Sequence, residues 1–126
     1  AVVGQNDAQI DIIANKAYLC GEIVGLGNSE INFLRNDSAL NNQSVAIYSD
    51  KTDAVSGESD DGKAKINFKV NSYINSQGDE IYHADKQGRR TIAAIRALRN
   101  SEIALDNAAG VYGDIIAGKG EVEEGV

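Results

Sequence analysis

His83 is the only histidine of the chain and Cys20 is the only cysteine, so these two side chains are the first candidates for acid–base or nucleophilic chemistry. A histidine-based triad needs a nucleophile held against the imidazole. No serine stands in a Gly-x-Ser-x-Gly elbow, and one Cys and one His do not supply the ligands of a structural zinc site. We therefore predict a non-enzymatic protein with no catalytic residue, metal or cofactor, and Cys20 as a small buried apolar side chain.

The densest group of carboxylates lies in the polar stretch 50–62. It comprises Asp50, Asp53, Glu58, Asp60 and Asp61. Calcium needs about six to eight oxygen ligands, but the run from Asp53 to Gly57 breaks the alternating spacing of an EF-hand loop. We therefore expect an exposed, metal-free acidic loop; a cation site is the alternative. Gly25 and Gly27 begin like a dinucleotide-binding turn, but Glu30 replaces the last glycine and would repel a pyrophosphate.

One basic block contrasts with the acidic balance of the chain, whose formal net charge is -7. The block comprises Lys86, Arg89, Arg90, Arg96 and Arg99. Clustered Arg and Lys side chains can grip phosphate, an acidic peptide or the carboxylates of a neighbouring subunit. We predict that the block is an assembly interface, with a solvated surface as the alternative.

Composition limits the partners. The chain has 126 residues, of which 42% are hydrophobic, and this suits one ordinary globular domain. Phosphate backbones and anionic lipid repel an acidic chain, so we predict no nucleic-acid, membrane or small-molecule partner. The absence of catalytic motifs favours a structural or assembly subunit, such as a virion capsid, decoration or tail component or an extracellular filament subunit, that associates with itself. The alternative is an acidic binding or inhibitory module that engages a basic protein; a small enzyme is a third possibility.

Alternating apolar and polar residues predict strands as the main elements. Ile66, Phe68 and Val70 alternate with polar neighbours, turn residues follow at 75–79, and the pattern predicts an antiparallel hairpin over 64–84. The predicted fold class is mainly β: a single domain in which antiparallel sheets pack as a sandwich or jelly roll. The N-terminal third also allows a helix, so the alternative is an α+β fold with an additional N-terminal helix. The ends 1–6 and 118–126 are expected to be flexible.

The segment 90–99 predicts the one short helix, because Ala, Leu and Arg are good helix formers. We expect the helix to lie on the sheet and to share its core. The predicted core residues are Ile66, Phe68, Val70, Ile92, Ile95 and Leu98.

Two short strings recur along the chain. Asn28–Ile31 reappears as Asn100–Ile103, and Asp11–Lys16 resembles Asp114–Lys119. The copies keep neither a common spacing nor a common order, as a tandem repeat would. The sequence therefore argues against a solenoid.

Overall fold

The chain folds into β-strands. The computed structural model describes residues 1–13, 16–36, 43–49, 54–76, 83–84, 90–91, 93–106, 109–112 and 114–118. No helix occurs within these residues. The strands are β1 (Val2–Gly4), β2 (Gln9–Ile13), β3 (Lys16–Cys20), β4 (Ile23–Leu26), β5 (Glu30–Leu34), β6 (Ser44–Ser49), β7 (Val55–Phe68), β8 (Asn71–Ser76), β9 (His83–Ala84), β10 (Arg90–Thr91), β11 (Ala93–Leu105), β12 (Ala109–Tyr112) and β13 (Asp114–Gly118).

Successive strands wind around one axis as a parallel β-solenoid with three faces. The first face stacks β1, β4, residues 55–58 of β7, residues 95–98 of β11, and β13. The second face stacks β2, β5, residues 65–68 of β7, and residues 101–105 of β11. The third face stacks β3, β6, β8 and β12. The resulting parallel sheets surround one interior as a nearly closed, barrel-like wall.

Each passage through the three faces makes one coil. The first coil is β1–β3, the second is β4–β6, the third is β7 and β8, and the fourth is β11 and β12; β13 begins a fifth. The coils differ in length: Ile23 follows its register partner Val2 by 21 residues, whereas Ile95 follows its partner Val55 by 40. The prediction that no solenoid forms was wrong, because this one has a regular ladder but no fixed sequence period.

The corner that leads into the second face uses a left-handed backbone residue in three coils. Asn6, Gly27 and Arg99 have φ values of 58°, 66° and 53°. Asn and Gly adopt this conformation at low cost, which explains how the chain turns without any proline. At Gly27 the backbones of two successive corners also lie close together, because a Cβ atom there would be 3.0 Å from the backbone nitrogen of Asn6.

The interior is a column of apolar side chains contributed by every face. The side chains of Phe33 and Phe68 are in register, fully buried and stacked, with ring centroids 4.6 Å apart. Five predicted core residues are buried, which confirms that part of the prediction, while the sixth, Ile92, lies outside the described residues. The five are Ile66, Phe68, Val70, Ile95 and Leu98.

The predicted antiparallel sandwich or jelly roll was wrong, because the two main sheets are parallel. The hairpin over 64–84 was wrong as well. Val70 lies where the chain passes from β7 to the third face, and there β8 pairs in parallel with β6 and β12. Among the described strands, only the short pair β9–β10 is antiparallel.

The predicted helix over 90–99 was wrong. Residues 93–105 form β11, which pairs in parallel with β7 on one side and with β13 on the other. Backbone pairing on both sides and a buried apolar surface outweigh the helix propensity of Ala, Leu and Arg, which differs by well under about 1 kcal/mol per residue from that of other residues. The alternative N-terminal helix was also wrong, since β2 and β3 occupy that region.

The acidic stretch 50–62 is not one loop. Its second half belongs to β7, which begins at Val55, whereas Asp50 and Asp53 lie outside the described residues. At the termini, Val2–Gly4 forms β1 and pairs with β4, while residues 119–126 are outside the described part of the chain.

Candidate functional site

The two side chains first considered for chemistry do not meet in a described site. Cys20 is an exposed free cysteine at the end of β3, so its predicted burial was wrong. It lies on the outer side of the third face because β3 alternates, with Lys16 and Tyr18 on the same side. His83 belongs to β9, and its side chain is outside the described part of the structure.

The basic block is only partly visible. Arg96 and Arg99 lie on β11 and Arg90 starts β10, whereas Lys86 and Arg89 are outside the described residues. The role of the block as an assembly interface stays a prediction.

Arg99 pairs with carboxylates of its own chain. One guanidinium nitrogen lies 2.8 Å from Oε1 of Glu58 and 2.6 Å from Oδ1 of Asp60. Part of the acidic stretch therefore neutralises part of the basic block within the molecule. These groups are partly exposed, so the pairs add only about 0–1 kcal/mol each to stability.

A shallow open cleft lies beside this ion pair, at the corner between the first and second faces. Its volume is about 450 Å³. It is lined by Asn6, Asp7, Leu26, Gly27, Asn28, Glu58, Ser59 and Asp60. The Asn28 amide donates to Asp7 over 3.2 Å, and Arg99 engages both Glu58 and Asp60. Within the described residues, no group of three or more His, Cys, Asp or Glu side chains is placed to hold a metal ion.

A different feature stands out at the first coil, where the hydrophobic core is open. Five interior side chains of this coil are only half-buried, and each has a register partner in the second coil that is almost fully buried. The half-buried residues are Val2, Ile10, Ile12, Ala17 and Leu19, and their partners in the same order are Ile23, Ile31, Phe33, Val45 and Ile47. We call the five residues of the first coil the open end.

The strand edges at the open end are also unpaired among the described strands. β1, β2 and β3 each pair with one strand, on the side of the second coil. Beside these edges, Val3 is 52% exposed and Ile13 is 59% exposed. The open end thus combines apolar interior positions with three strand edges that pair with no further described strand, and such edges are the usual template for adding a strand.

A polar ladder runs along the outside of the second face and ends at the same coil. Asn67 donates its amide to Oδ1 of Asn32 over 2.9 Å, and Asn32 donates to Oδ1 of Asp11 over 2.9 Å. Stacked amides of this kind satisfy each other in parallel in-register strands. The ladder holds the first coil on the second in one register.

Charges also alternate across this face. Glu30 and Glu102 both lie beside Lys65 in the register, and Lys63 reaches Glu102 over 2.8 Å. The hydrogen bond and positive charge of Lys63 lower the pKa of Glu102, with a smaller contribution from Lys65. Opposite charges in one cross-strand row favour the observed register.

Nothing in the sequence alone indicated the open end. The alternation of Ile10 and Ile12 correctly indicated a strand, but burial of an interior side chain in a solenoid depends on the coil above it. No signal within the strand itself reports whether that coil is present.

No helix in the part of the chain that the structure describes is long and apolar enough to cross a membrane. Comparison of this chain with protein families, with curated proteins and with solved structures found no match.

Proposed function

We propose that this protein is a non-enzymatic structural subunit that associates with itself through the open end of its first coil. One observation carries the proposal: interior side chains of the first coil are partly exposed, whereas their register partners in the second coil are buried. A solenoid coil that stacks on a neighbour on one side only leaves part of its core exposed on the other, so this end is suited to receive another coil.

The energy available is sufficient for association. Full burial of a large aliphatic side chain contributes about 1.5–3 kcal/mol relative to exposure. Four large aliphatic side chains at the open end are partly exposed, so each retains at most about 1 kcal/mol of further burial. Edge hydrogen bonds add direction and register. Together these terms suit a reversible dimer rather than an irreversible one, because association also costs translational and rotational freedom.

A second copy docked through the same end fits the shape best. The first coil ends level on all three faces, because β1, β2 and β3 belong to one turn of the solenoid. The opposite end is stepped, because β13 covers only residues 95–98 of β11 and leaves residues 101–105 and β12 as edges among the described strands. Two level ends can meet around a two-fold axis, which is the commonest symmetry of soluble homo-oligomers.

In such a dimer the edge strands of the two copies run antiparallel. One face meets the same face of the other copy, and the remaining two faces meet each other crosswise. Antiparallel pairing of exposed edges is geometrically ordinary and closes the assembly. The open ends then bury one another, and no edge at this end remains free to recruit a third copy.

The basic block is not the centre of this proposal, because Arg99 is engaged by Glu58 and Asp60 in its own chain. The setting in a virion or an extracellular filament stays a prediction, as does the alternative of an acidic module for a basic protein.

Sedimentation velocity over a wide concentration range tests the proposal. We expect wild-type protein to change from monomer to dimer as the concentration rises, and Leu19→Glu to remain monomeric because a carboxylate cannot enter the buried contact. Ile13→Glu is the second variant; Ile13 is already exposed, so the charge does not threaten folding of the monomer. Circular dichroism and the melting temperature report whether each variant is folded.

Ile115→Glu is the matched control, because Ile115 is 61% exposed on β13 at the other end of the solenoid. We expect it to dimerise as the wild type does. If it abolishes association as strongly as Ile13→Glu, the contact runs head to tail and the two-fold arrangement is wrong. A wild type that stays monomeric at every concentration overturns self-association and leaves the open end to another segment of a longer polypeptide.

A further inference from the structure

The outer side of the third face carries exposed aromatic rings. Tyr18, Tyr48 and Tyr73 are 65%, 39% and 55% exposed. They lie on three successive strands, β3, β6 and β8, and the rings of Tyr18 and Tyr48 stack with centroids 5.8 Å apart. Tyr73 follows on the strand beside Tyr48, and we call these three residues the tyrosine ridge.

The register gives the ridge a regular spacing. Tyr18 and Tyr73 occupy the same row, with Ala46 between them on β6. Adjacent parallel strands are about 4.8 Å apart, so the two tyrosines start about 9.6 Å from each other. Ala46 has only a methyl group, which leaves a shallow groove between two ring positions.

The other outward side chains of these strands are neutral hydrogen-bonding groups, with one exception. They are Ser44, Asn71, Asn75 and Cys20, and the exception is Lys16. No acidic residue points outward from β3, β6 or β8, although the whole chain has 19 acidic residues. The surface is therefore aromatic and amide-rich on an otherwise acidic molecule.

We propose that the tyrosine ridge binds an extended, uncharged, β-linked polysaccharide that lies across the strands of the third face. Sugar C–H groups carry partial positive charge and pack on the electron-rich faces of aromatic rings. Amide and hydroxyl side chains donate to and accept from sugar hydroxyl groups. Alternate sugars of a β1,4-linked chain present the same face, which matches tyrosines placed on every second strand.

Two other ligand classes suit this surface less well. Single-stranded nucleic acid also stacks on aromatic rings, but it needs a basic groove along its phosphates, and only Lys16 among these outward side chains is basic. A protein partner usually inserts an apolar anchor into a pocket. The third face offers a flat row with a shallow groove at Ala46.

Co-sedimentation with insoluble cellulose, chitin and β-mannan, followed by calorimetry with the soluble hexasaccharide of each, tests the proposal. We expect saturable binding of at least one of the three. Tyr18→Ala and Tyr73→Ala should each weaken it about tenfold, as loss of one stacking platform does elsewhere. Tyr73→Phe keeps the ring and should change the affinity by less than about fivefold. Ala46→Lys should block the groove while leaving both rings in place.

Ile115→Ala is the control on another face, and it should bind as the wild type does. All variants are compared at concentrations at which they are monomeric, so that a change in self-association does not enter the measurement. Tyr73 lies on β8, two coils from the open end, and its effect is therefore separable from dimerisation. The proposal is overturned if none of the three polysaccharides binds, if Tyr18→Ala and Tyr73→Ala bind as the wild type does, or if Tyr73→Phe is as weak as Tyr73→Ala.

Discussion

The first and second coils have the same architecture but very different interiors. Ile12 and Phe33 are register partners on the second face, and both point inward. Phe33 is fully buried because Phe68 stacks on its other side, whereas Ile12 is only half-buried because no described strand lies beyond it. In a solenoid, the position of a coil in the stack decides how deeply an apolar side chain is buried, and therefore how much it contributes to stability.

The first coil and the two coils that follow it therefore have different roles. The second and third coils hold the fold together through buried aromatic and aliphatic contacts. The first coil pairs with the second coil on one side, and its other side pairs with no described strand. The proposed assembly surface is thus the side of the first coil that pairs with no described strand, and it needs no special residue type.

The largest expected effect is the contrast between Phe33→Ala and Ile12→Ala. We expect Phe33→Ala to lower the free energy of unfolding by about 3–5 kcal/mol, through lost transfer energy and a cavity beside Phe68. Ile12→Ala should cost less, on the order of 1 kcal/mol in the monomer, because the side chain is only partly buried. Urea denaturation at low protein concentration measures both values.

Repeating that measurement at high protein concentration sharpens the contrast. If the open end is buried in a dimer, the cost of Ile12→Ala should rise with concentration, whereas the cost of Phe33→Ala changes less. If the two variants lose the same free energy of unfolding in the dilute monomer, the interior of the first coil is as buried as that of the second. The basis for the assembly proposal would then be removed.

The sequence was sufficient to predict several of the strands and part of the core, but not how the strands pair. Alternation identifies which side chains of β7 point inward, and Ile66 and Phe68 are indeed buried. Alternation is the same for an antiparallel hairpin and for a coil, because it reports one strand and not its neighbour. The parallel arrangement depends on contacts between residues 20 to 40 positions apart, which no local pattern records.

One recurring string did mark the solenoid. Glu30 and Glu102, from the two copies of Asn-Ser-Glu-Ile, pair with the same residue, Lys65, from opposite sides. The copies therefore occupy equivalent positions two coils apart, at the entrance to the second face. The intervening coil has Lys63–Ile66 at this position instead, so the sequence does not show the repeat of the coils. The other string lies in β2 and β13, on different faces, and marks no equivalence.

The polar ladder extends the comparison to hydrogen bonds. Asn32, in the second coil, bonds to both Asp11 and Asn67, whereas Asp11 takes part in one described ladder bond. We expect Asn32→Ala to lower the free energy of unfolding by about 1–2 kcal/mol, because both neighbours lose a partner. Asp11→Ala should cost about half as much. Thermal denaturation of the two variants decides the order, and a reversed order would mean that the ladder does not couple the coils.

The smallest expected effect concerns the charged row of the second face. In the first coil this row holds the neutral Gln9, whereas in the fourth coil it holds Glu102, whose pKa Lys63 lowers from its usual value of 4.5. A carboxyl whose pKa is lower in the folded state stabilises the fold above its unfolded pKa, and this stabilisation is lost as the pH falls through the folded pKa. We therefore expect wild-type protein to melt slightly above Glu102→Gln at about pH 6, and the difference to shrink as the pH falls below 4.5. Gln9→Glu is the matched comparison at the open end, where the nearest residue in the row is the like-charged Glu30. That variant should gain stability, relative to the wild type, as the pH falls. A melting difference between wild type and Glu102→Gln that does not change with pH would assign the effect to packing of the side chain and not to its charge.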